Sequence, residues 1–198
     1  ATAMNTYGEI NNWDVSLITD MGHLFQFKET FNSNISNWDV SNVTNMTAMF
    51  DHCYVFNQDL SNWNVSNVIS MHGLFGACHA FTSDLSSWDV SSVTDMSVLF
   101  YGCTNFTSDL SSWDVSNVVG MHRIFHGASS FTSDLSSWDV SSVTDMSVAF
   151  SETNFNFDLS TWDVSSVRQF YEMFYASQFD GDISNWNVSS AENMAYMF

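Results

Sequence analysis

The chain has no proline and almost no positive charge. Lys28, Arg123 and Arg168 are its only lysine and arginine residues, against 22 aspartates and glutamates, for a formal net charge of −19 over 198 residues. Without proline, no backbone position has a locked φ or lacks its N–H donor. Without a basic patch, nothing displaces counterions, which argues against nucleic-acid binding and docking on anionic lipid. The acidic excess favours solubility and attraction to cations or basic partners. Apolar runs are only a few residues long, so no membrane insertion is expected, and no signal-like segment is present. Apolar residues still make up 45% of the chain and aromatics 16%, enough for a dry core and too many for a disordered tail. Cysteine is sparse as well. Cys53, Cys78 and Cys103 lie 25 residues apart, which is neither a CxxC metal motif nor the framework of a disulfide-rich domain.

What the chain has in abundance is repetition. Tryptophan recurs at Trp13, Trp38, Trp63, Trp88, Trp113, Trp138, Trp162 and Trp186, with a spacing of 25 residues five times and then 24 twice. A fixed period of this size marks an array in which each unit buries its apolar face against its neighbours. We therefore expect one continuous solenoid over 1–198 rather than two globular domains. The chain stops in mid-repeat at Phe198 with no polar cap, which suggests a segment of a longer protein.

Residues 81–105 show one unit. Leu85, Trp88 and Val90 have the L-x-x-L-x-L form of a leucine-rich repeat, and the alternation around Trp88–Val90 predicts a short strand. Val93, Met96 and Leu99/Phe100 follow at spacings of three and four, which predicts a short helix. Ser91, Ser92, Thr94 and Asp95 supply cap chemistry at its start, and Gly102 ends it, as Gly73, Gly76 and Gly127 would elsewhere. The fold class is thus α/β: a leucine-rich-repeat-like solenoid of about eight coils of 24–25 residues, each a short strand plus a short helix. Inward positions form ladders, among them a valine at Val15, Val40, Val65 and onward, a methionine at Met21, Met46, Met71 and onward, and two phenylalanine series through Phe100 and Phe106. Such stripes are core rather than cofactor boxes. The two one-residue losses fall between Phe150 and Phe155 and between Phe174 and Phe179, in the loop that closes the unit. Residues 81–100 and 131–150 differ only at Leu99 versus Ala149, and His72 and His122 recur in alternate units, pointing to a 50-residue duplication.

The stretch Phe31-Asn-Ser-Asn-Ile-Ser-Asn-Trp-Asp-Val-Ser-Asn-Val-Thr-Asn-Met-Thr-Ala-Met-Phe50 resembles the BspA-like leucine-rich-repeat surface proteins, whose pattern runs F-N-x-D-I-S-x-W-D-V-S-N-V-T-x-M-x-x-M-F. The resemblance covers all eight units. It implies a curved solenoid that is secreted or displayed on the cell surface and that serves adhesion and binding rather than catalysis. It brings no active site to carry over. Serine replaces asparagine in the middle units, and Lys28 stands in the small-residue slot of the first.

Two acidic rows are the foremost candidate sites. One holds Asp84, Asp109 and Asp134, and the other holds Asp89, Asp114 and Asp139. Stacked coils would set such carboxylates about 5 Å apart, where neighbours repel by about 1 kcal/mol or more at surface dielectric. Bound Ca²⁺ would offset that repulsion, as would hydrogen bonds from turn amides. Asn34, Asn64 and Asn187 in the same rows favour the amides. The cysteine slot is shared with Ala128, Thr153 and Ser177, which favours buried free thiols, with a coil-to-coil disulfide as the alternative. His52, Cys53, His72, Cys78 and His79 resemble a zinc set in type, but their offsets differ, so they are expected to point apart. The unbroken serine row Ser16, Ser41, Ser66, Ser91 and onward lacks the paired histidine and aspartate of a nucleophile and suits turn duty. The threonine row is broken by Ile69, Val119 and Arg168, which disfavours an ice-binding plane. Of six N-x-S/T sequons, Asn105 lies in the closing loop and is the candidate for glycosylation.

No acid/base pair stands at a singular position. The expectation is a non-enzymatic extracellular or cell-surface scaffold without a required cofactor, whose acidic face binds a protein or glycan multivalently. Self-association into a filament or coat, stabilised by Ca²⁺, is the alternative.

Overall fold

The computed structural model describes residues 6–198; the first five positions of the expected array lie outside the described residues. The chain winds through eight stacked coils, each carrying one of the tryptophans. Coil 1 ends at residue 30, and coils 2 to 5 span 31–55, 56–80, 81–105 and 106–130. Coils 6 and 7 span 131–154 and 155–178, and coil 8 runs 179–198. The expected repeat solenoid is present. Successive coils meet in an unbroken series of single parallel bridges: Asp20–Asn45, Asn45–Ser70, Ser70–Asp95, Asp95–Gly120, Gly120–Asp145, Asp145–Gln169 and Gln169–Asn193.

The strand and helix expected within each coil do not form. Around Trp88–Val90 the backbone makes no ladder, and the bridging residue is Asp95. Over 97–102, within the expected helix, the chain makes successive tight turns. Apart from a helical stretch at Thr6–Tyr7 and a 3-10 turn, Ile10–Asn12, the described residues contain no helix.

The destination of the backbone donors explains this. The N–H groups of Met96, Val98, Phe100 and Gly102 donate to the carbonyls of Gly120, His122, Ile124 and His126 in the next coil, at 3.0, 2.7, 2.9 and 2.8 Å. A helix would direct those donors four residues back along its own chain. Leu99, Tyr101 and Cys103 close four-residue turns onto Met96, Val98 and Phe100. The first and third of these turns carry a left-handed residue at the third position, as a type II turn requires: φ is +63° at Val98 and +65° at Gly102. Equivalent residues adopt it too: Ala48, Gly73, Arg123 and Val148 at the first position, His52, Ala77, Gly127 and Glu152 at the second. Each non-glycine residue there costs about 1–2 kcal/mol. The competing helix would be under two turns long and rich in Val, Phe and Thr, which is marginal by itself. Axial hydrogen bonds and burial prevail.

The inward side chains are those that the pattern implies. Leu85, Trp88, Val90, Val93, Met96, Leu99, Phe100, Cys103 and Phe106 are all buried. Phe50, Phe75, Phe100 and Phe125 stack from coil to coil at 5.7, 5.9 and 5.7 Å, and Phe100 also stacks on Phe106 at 4.1 Å. Each such pair contributes about 1 kcal/mol beyond its burial. The indole N–H groups reach back one coil: Trp88, Trp113, Trp138 and Trp162 donate Nε1 to the carbonyls of Leu60, Leu85, Leu110 and Leu135 at 3.0, 3.0, 2.9 and 3.0 Å. The thiols of Cys53, Cys78 and Cys103 likewise donate to the carbonyls of Phe25, Phe50 and Phe75. All three are free and buried, so the slot holds thiols and not a disulfide. Burial pushes the Cys53 thiol up to about 11 and raises Cys78 and Cys103 as well. In coil 6, one residue shorter, Thr153 fills the slot and donates Oγ1 to the Phe150 carbonyl at 2.7 Å.

Trp113→Phe removes one of the two donors to the Leu85 carbonyl, leaving the Trp88 N–H, and replaces a buried indole with a smaller ring; urea unfolding should show a loss of about 1–3 kcal/mol. Glu152→Gly, at φ +57°, should raise the urea midpoint by the equivalent of about 1 kcal/mol. A lower midpoint would show that the left-handed turns are unstrained.

Candidate functional site

The two expected acidic rows lie exposed on the corners of the coils, and each carboxylate is engaged within its own turn. Asp84, Asp109 and Asp134 accept the N–H of Ser86, Ser111 and Ser136 through Oδ1 at 2.9, 3.0 and 2.9 Å. Asp89 and Asp114 accept both the N–H and the hydroxyl of Ser91 and Ser116, at 3.1 and 2.6 Å in each case. Asp139 accepts the N–H of Ser141 at 3.0 Å. These are Asx turns, in which the side chain stands in for a backbone acceptor. They account for the serine row: Ser91, Ser116 and Ser141 are the donors. The first row is also tied across coils, because the Ser108 hydroxyl accepts the Leu85 N–H at 2.9 Å and donates to Asp84 at 3.1 Å.

Hydrogen bonds from the Ser91 and Ser116 hydroxyls and amides hold Asp89 and Asp114 below the usual carboxylate range. The amides and hydroxyls of Ser86 and Ser111 do the same for Asp84 and Asp109. Among the described residues no group of three His, Cys, Asp or Glu side chains is placed to hold a metal ion. Cys53 and Cys78 lie in the core while His52, His72 and His79 lie outside it, so those five residues are not brought together. Asn105 is exposed, and its Nδ2 donates to the His79 carbonyl of the preceding coil at 2.7 Å.

A different face gathers chemistry that the sequence pattern does not single out. All six histidines, five of the six tyrosines, Lys28 and Arg123 fall on the turn segment that spans 97–104 in coil 4 and its counterparts. His72 and His122 share one slot, His23 and Arg123 the next, His126 and Tyr101 a third, while His79 and Tyr54 share a fourth. The inward slots nearly all repeat one residue type; the bridge slot and the threonine row beside it vary as well, but this segment is where histidine and tyrosine enter the coils.

The side chains are organised along the axis. The rings of Phe27, His52, Tyr54 and His79 form a chain with centroids 5.0, 5.8 and 5.2 Å apart. Tyr101 stacks on His126 at 5.4 Å, and Tyr171 meets Tyr196 edge-on at 6.2 Å. His52 Nδ1 lies 2.8 Å from Asp51, which also accepts Gln26 Nε2 at 2.9 Å. His79 Nδ1 lies 2.8 Å from the Gly102 carbonyl and His122 Nδ1 2.8 Å from the Ser147 hydroxyl. Burial holds the His122 imidazole below the ordinary histidine value. Within residues 72–79, 97–104 and 122–129 there is no carboxylate, so coils 3 to 5 present a neutral-to-cationic patch on a strongly acidic molecule.

The available sequence signal was variation among near-identical repeats. Offsets within a single repeat conceal it, because 97, 98, 101, 102 and 104 seem to point apart until the backbone is known.

Asp84, Asp89, Asp109 and Asp114 have depressed pKa values, so their contribution to stability is complete above the unfolded value and is lost as pH falls through the folded one. The melting temperature should therefore hold from neutrality to about pH 5 and drop below about pH 4. Excess chelator at neutral pH should leave it unchanged. A fall with chelator would assign cations to Asp84, Asp89, Asp109, Asp114, Asp134 and Asp139.

No curated protein matches the chain. Among solved structures, an internalin C2 of Listeria monocytogenes str. 4b F2365 is similar at 13% identity, over 77% of this chain and 70% of that one, with a TM-score of 0.29. The family model for Mycoplasma proteins of unknown function, DUF285, matches residues 1–113 and again 94–198. The chain belongs to the DUF285 family.

Proposed function

We propose that this protein is a non-enzymatic repeat scaffold, secreted or held at the cell surface, that binds a protein or glycan partner along its histidine- and tyrosine-bearing face. The observation that carries this reading is the segregation of residue types. Core slots are filled alike in coil after coil, while all six histidines, five of the six tyrosines, Lys28 and Arg123 collect on one outward segment. Tyrosine and arginine are the residues that contribute most at interfaces, since they bring contact area and a polar handle together. A partner that spans several coils engages several such patches, and weak contacts add through effective concentration.

The resemblance of residues 31–50 to BspA-like surface repeats supports the same reading, adhesion included. Catalysis has no comparable support. The groove along coils 2 to 4 is lined by Asn42, Thr44, Asn67, Ile69, Ser92 and Thr94, without a titratable side chain. The acidic corners serve folding, by capping turns, and they repel anionic bystanders. Calcium on them is not required by this reading. A glycan on Asn105 would stand beside the binding segment and compete with the partner.

Beads coated with the protein should adhere to a panel of immobilised matrix proteins and glycans. A variant with Tyr54→Ser, His79→Ser, Tyr101→Ser and His126→Ser should lose about tenfold or more in retained binding. A variant with Ser87→Ala and Ser112→Ala, on the corner side, should not. Adhesion to no member of the panel, or equal adhesion by both variants, would defeat the proposal.

A further inference from the structure

We propose that the histidine–arginine face of coils 3 to 5 docks sideways onto the acidic corner of a second copy of this chain when its imidazoles are protonated. This partner is distinct from the adhesion ligand above, and its test uses the purified chain alone, so the two fail separately.

Charge complementarity is the first ground. His72, His79, His122, His126 and Arg123 stand on segments without a carboxylate, whereas the corners present Asp84, Asp89, Asp109, Asp114, Asp134 and Asp139, two in each of coils 4 to 6. Pitch is the second. Both rows belong to one solenoid, whose rings step by 5.7–5.9 Å per coil through the middle of the array. A copy laid alongside in parallel therefore meets charge with charge at coils 3 and 5, which carry the histidines and Arg123, while coil 4 between them brings the uncharged Tyr101. No unrelated partner shares that repeat by construction.

The protonation states fit a defined window. His79 Nδ1 faces the Gly102 carbonyl at 2.8 Å and its ring lies on Tyr54; His126 Nδ1 faces the Ser151 carbonyl at 3.3 Å and its ring lies on Tyr101. A carbonyl only accepts, so Nδ1 is the donor in both contacts, which leaves Nε2 as the nitrogen not engaged by it. His72 lies 3.2 Å from Asp95. His122 faces the Ser147 hydroxyl, with Asp145, Arg123 and His72 within electrostatic reach. Arg123 also acts on Tyr171, beside Glu172. Burial makes His122 the harder imidazole to charge. Serine donors keep Asp84, Asp89, Asp109 and Asp114 ionised at pH values where histidine is charged. Attraction is therefore greatest between about pH 4.5 and about pH 6, above the carboxylate titration and below that of histidine.

The contact is heterologous, because each copy offers one face and one corner, so it propagates into open arrays rather than closing as a dimer. The net charge of −19 opposes association at long range. At about 0.15 M salt the screening length is about 8 Å, so the facing rows dominate.

Sedimentation velocity on the chain at about 0.15 M salt should show a monomer at about pH 7.5 and at least a threefold rise in mean mass at about pH 5.5, reversible and abolished by about 1 M salt. Two variants separate the halves of the contact, both built from residues that the chain itself uses in those slots. The face variant carries His72→Ser, His79→Ser, His122→Ser, His126→Ser and Arg123→Val. The corner variant carries Asn in place of Asp at 84, 89, 109, 114, 134 and 139. Each alone should stay monomeric at about pH 5.5, while an equimolar mixture should form mixed dimers, in which one intact face meets one intact corner. A monomer at every pH would overturn the proposal, as would association that persists in the face variant or a mixture that stays monomeric.

Discussion

Axial hydrogen bonding is the constraint from which the rest of this molecule follows. No coil satisfies its own backbone. Met96, Val98, Phe100 and Gly102 donate forward to coil 5, while Thr94 and the Trp88 indole donate back to coil 3, at Ile69 and Leu60. Helices and wide sheets satisfy donors within an element; here the unit of satisfaction is the pair of coils. Stability is then a sum over neighbouring interfaces rather than over independent elements. Coil 1 shows the same dependence, since the Trp13 indole bonds the carbonyl of Tyr7 in its own coil and the ring stays 39% exposed.

The strain in the backbone is a consequence. Valine at φ +63° and +61°, as at Val98 and Val148, is a conformation that isolated turns avoid. It persists because reversing it would turn a donor away from the next coil and strip the stacked phenylalanines of their spacing. The side chains of the corners obey the same economy: Asp, Ser and Asn tie each turn to itself or to its neighbour, and the histidines and all but one of the tyrosines fall on the outward turn segment. Structure and function are thereby separated by position around the coil. The tryptophan, phenylalanine, aspartate and serine rows hold the array, and the histidine, tyrosine and arginine side chains are what it presents.

Much of this was legible in the residues themselves. The inward ladders through Trp88, Val90, Met96 and Phe100 follow from the period alone, and so does the solenoid. The asparagines at Asn34, Asn64 and Asn187 already favoured capping in the acidic rows. The helix was not legible as an error, because Val93, Met96 and Leu99 recur at three-residue intervals both in a helix and in a run of four-residue turns. What distinguishes the two is a positive φ at Val98, and valine gives no hint of it. Gly73, Gly102 and Gly127 carry the clue, yet a glycine near the end of an apolar period also reads as a helix stop. The histidine face escaped for a related reason. Its members occupy different offsets, and only a known backbone shows that those offsets share one side.

The most direct test of this account is a through-hydrogen-bond NMR correlation experiment, which reports which carbonyl each amide proton touches. The account predicts correlations from the Val98 amide to the His122 carbonyl carbon and from the Gly102 amide to that of His126, each in the next coil. A correlation from the Gly102 amide to the Val98 carbonyl carbon, the mark of a helix closed on itself, would contradict it.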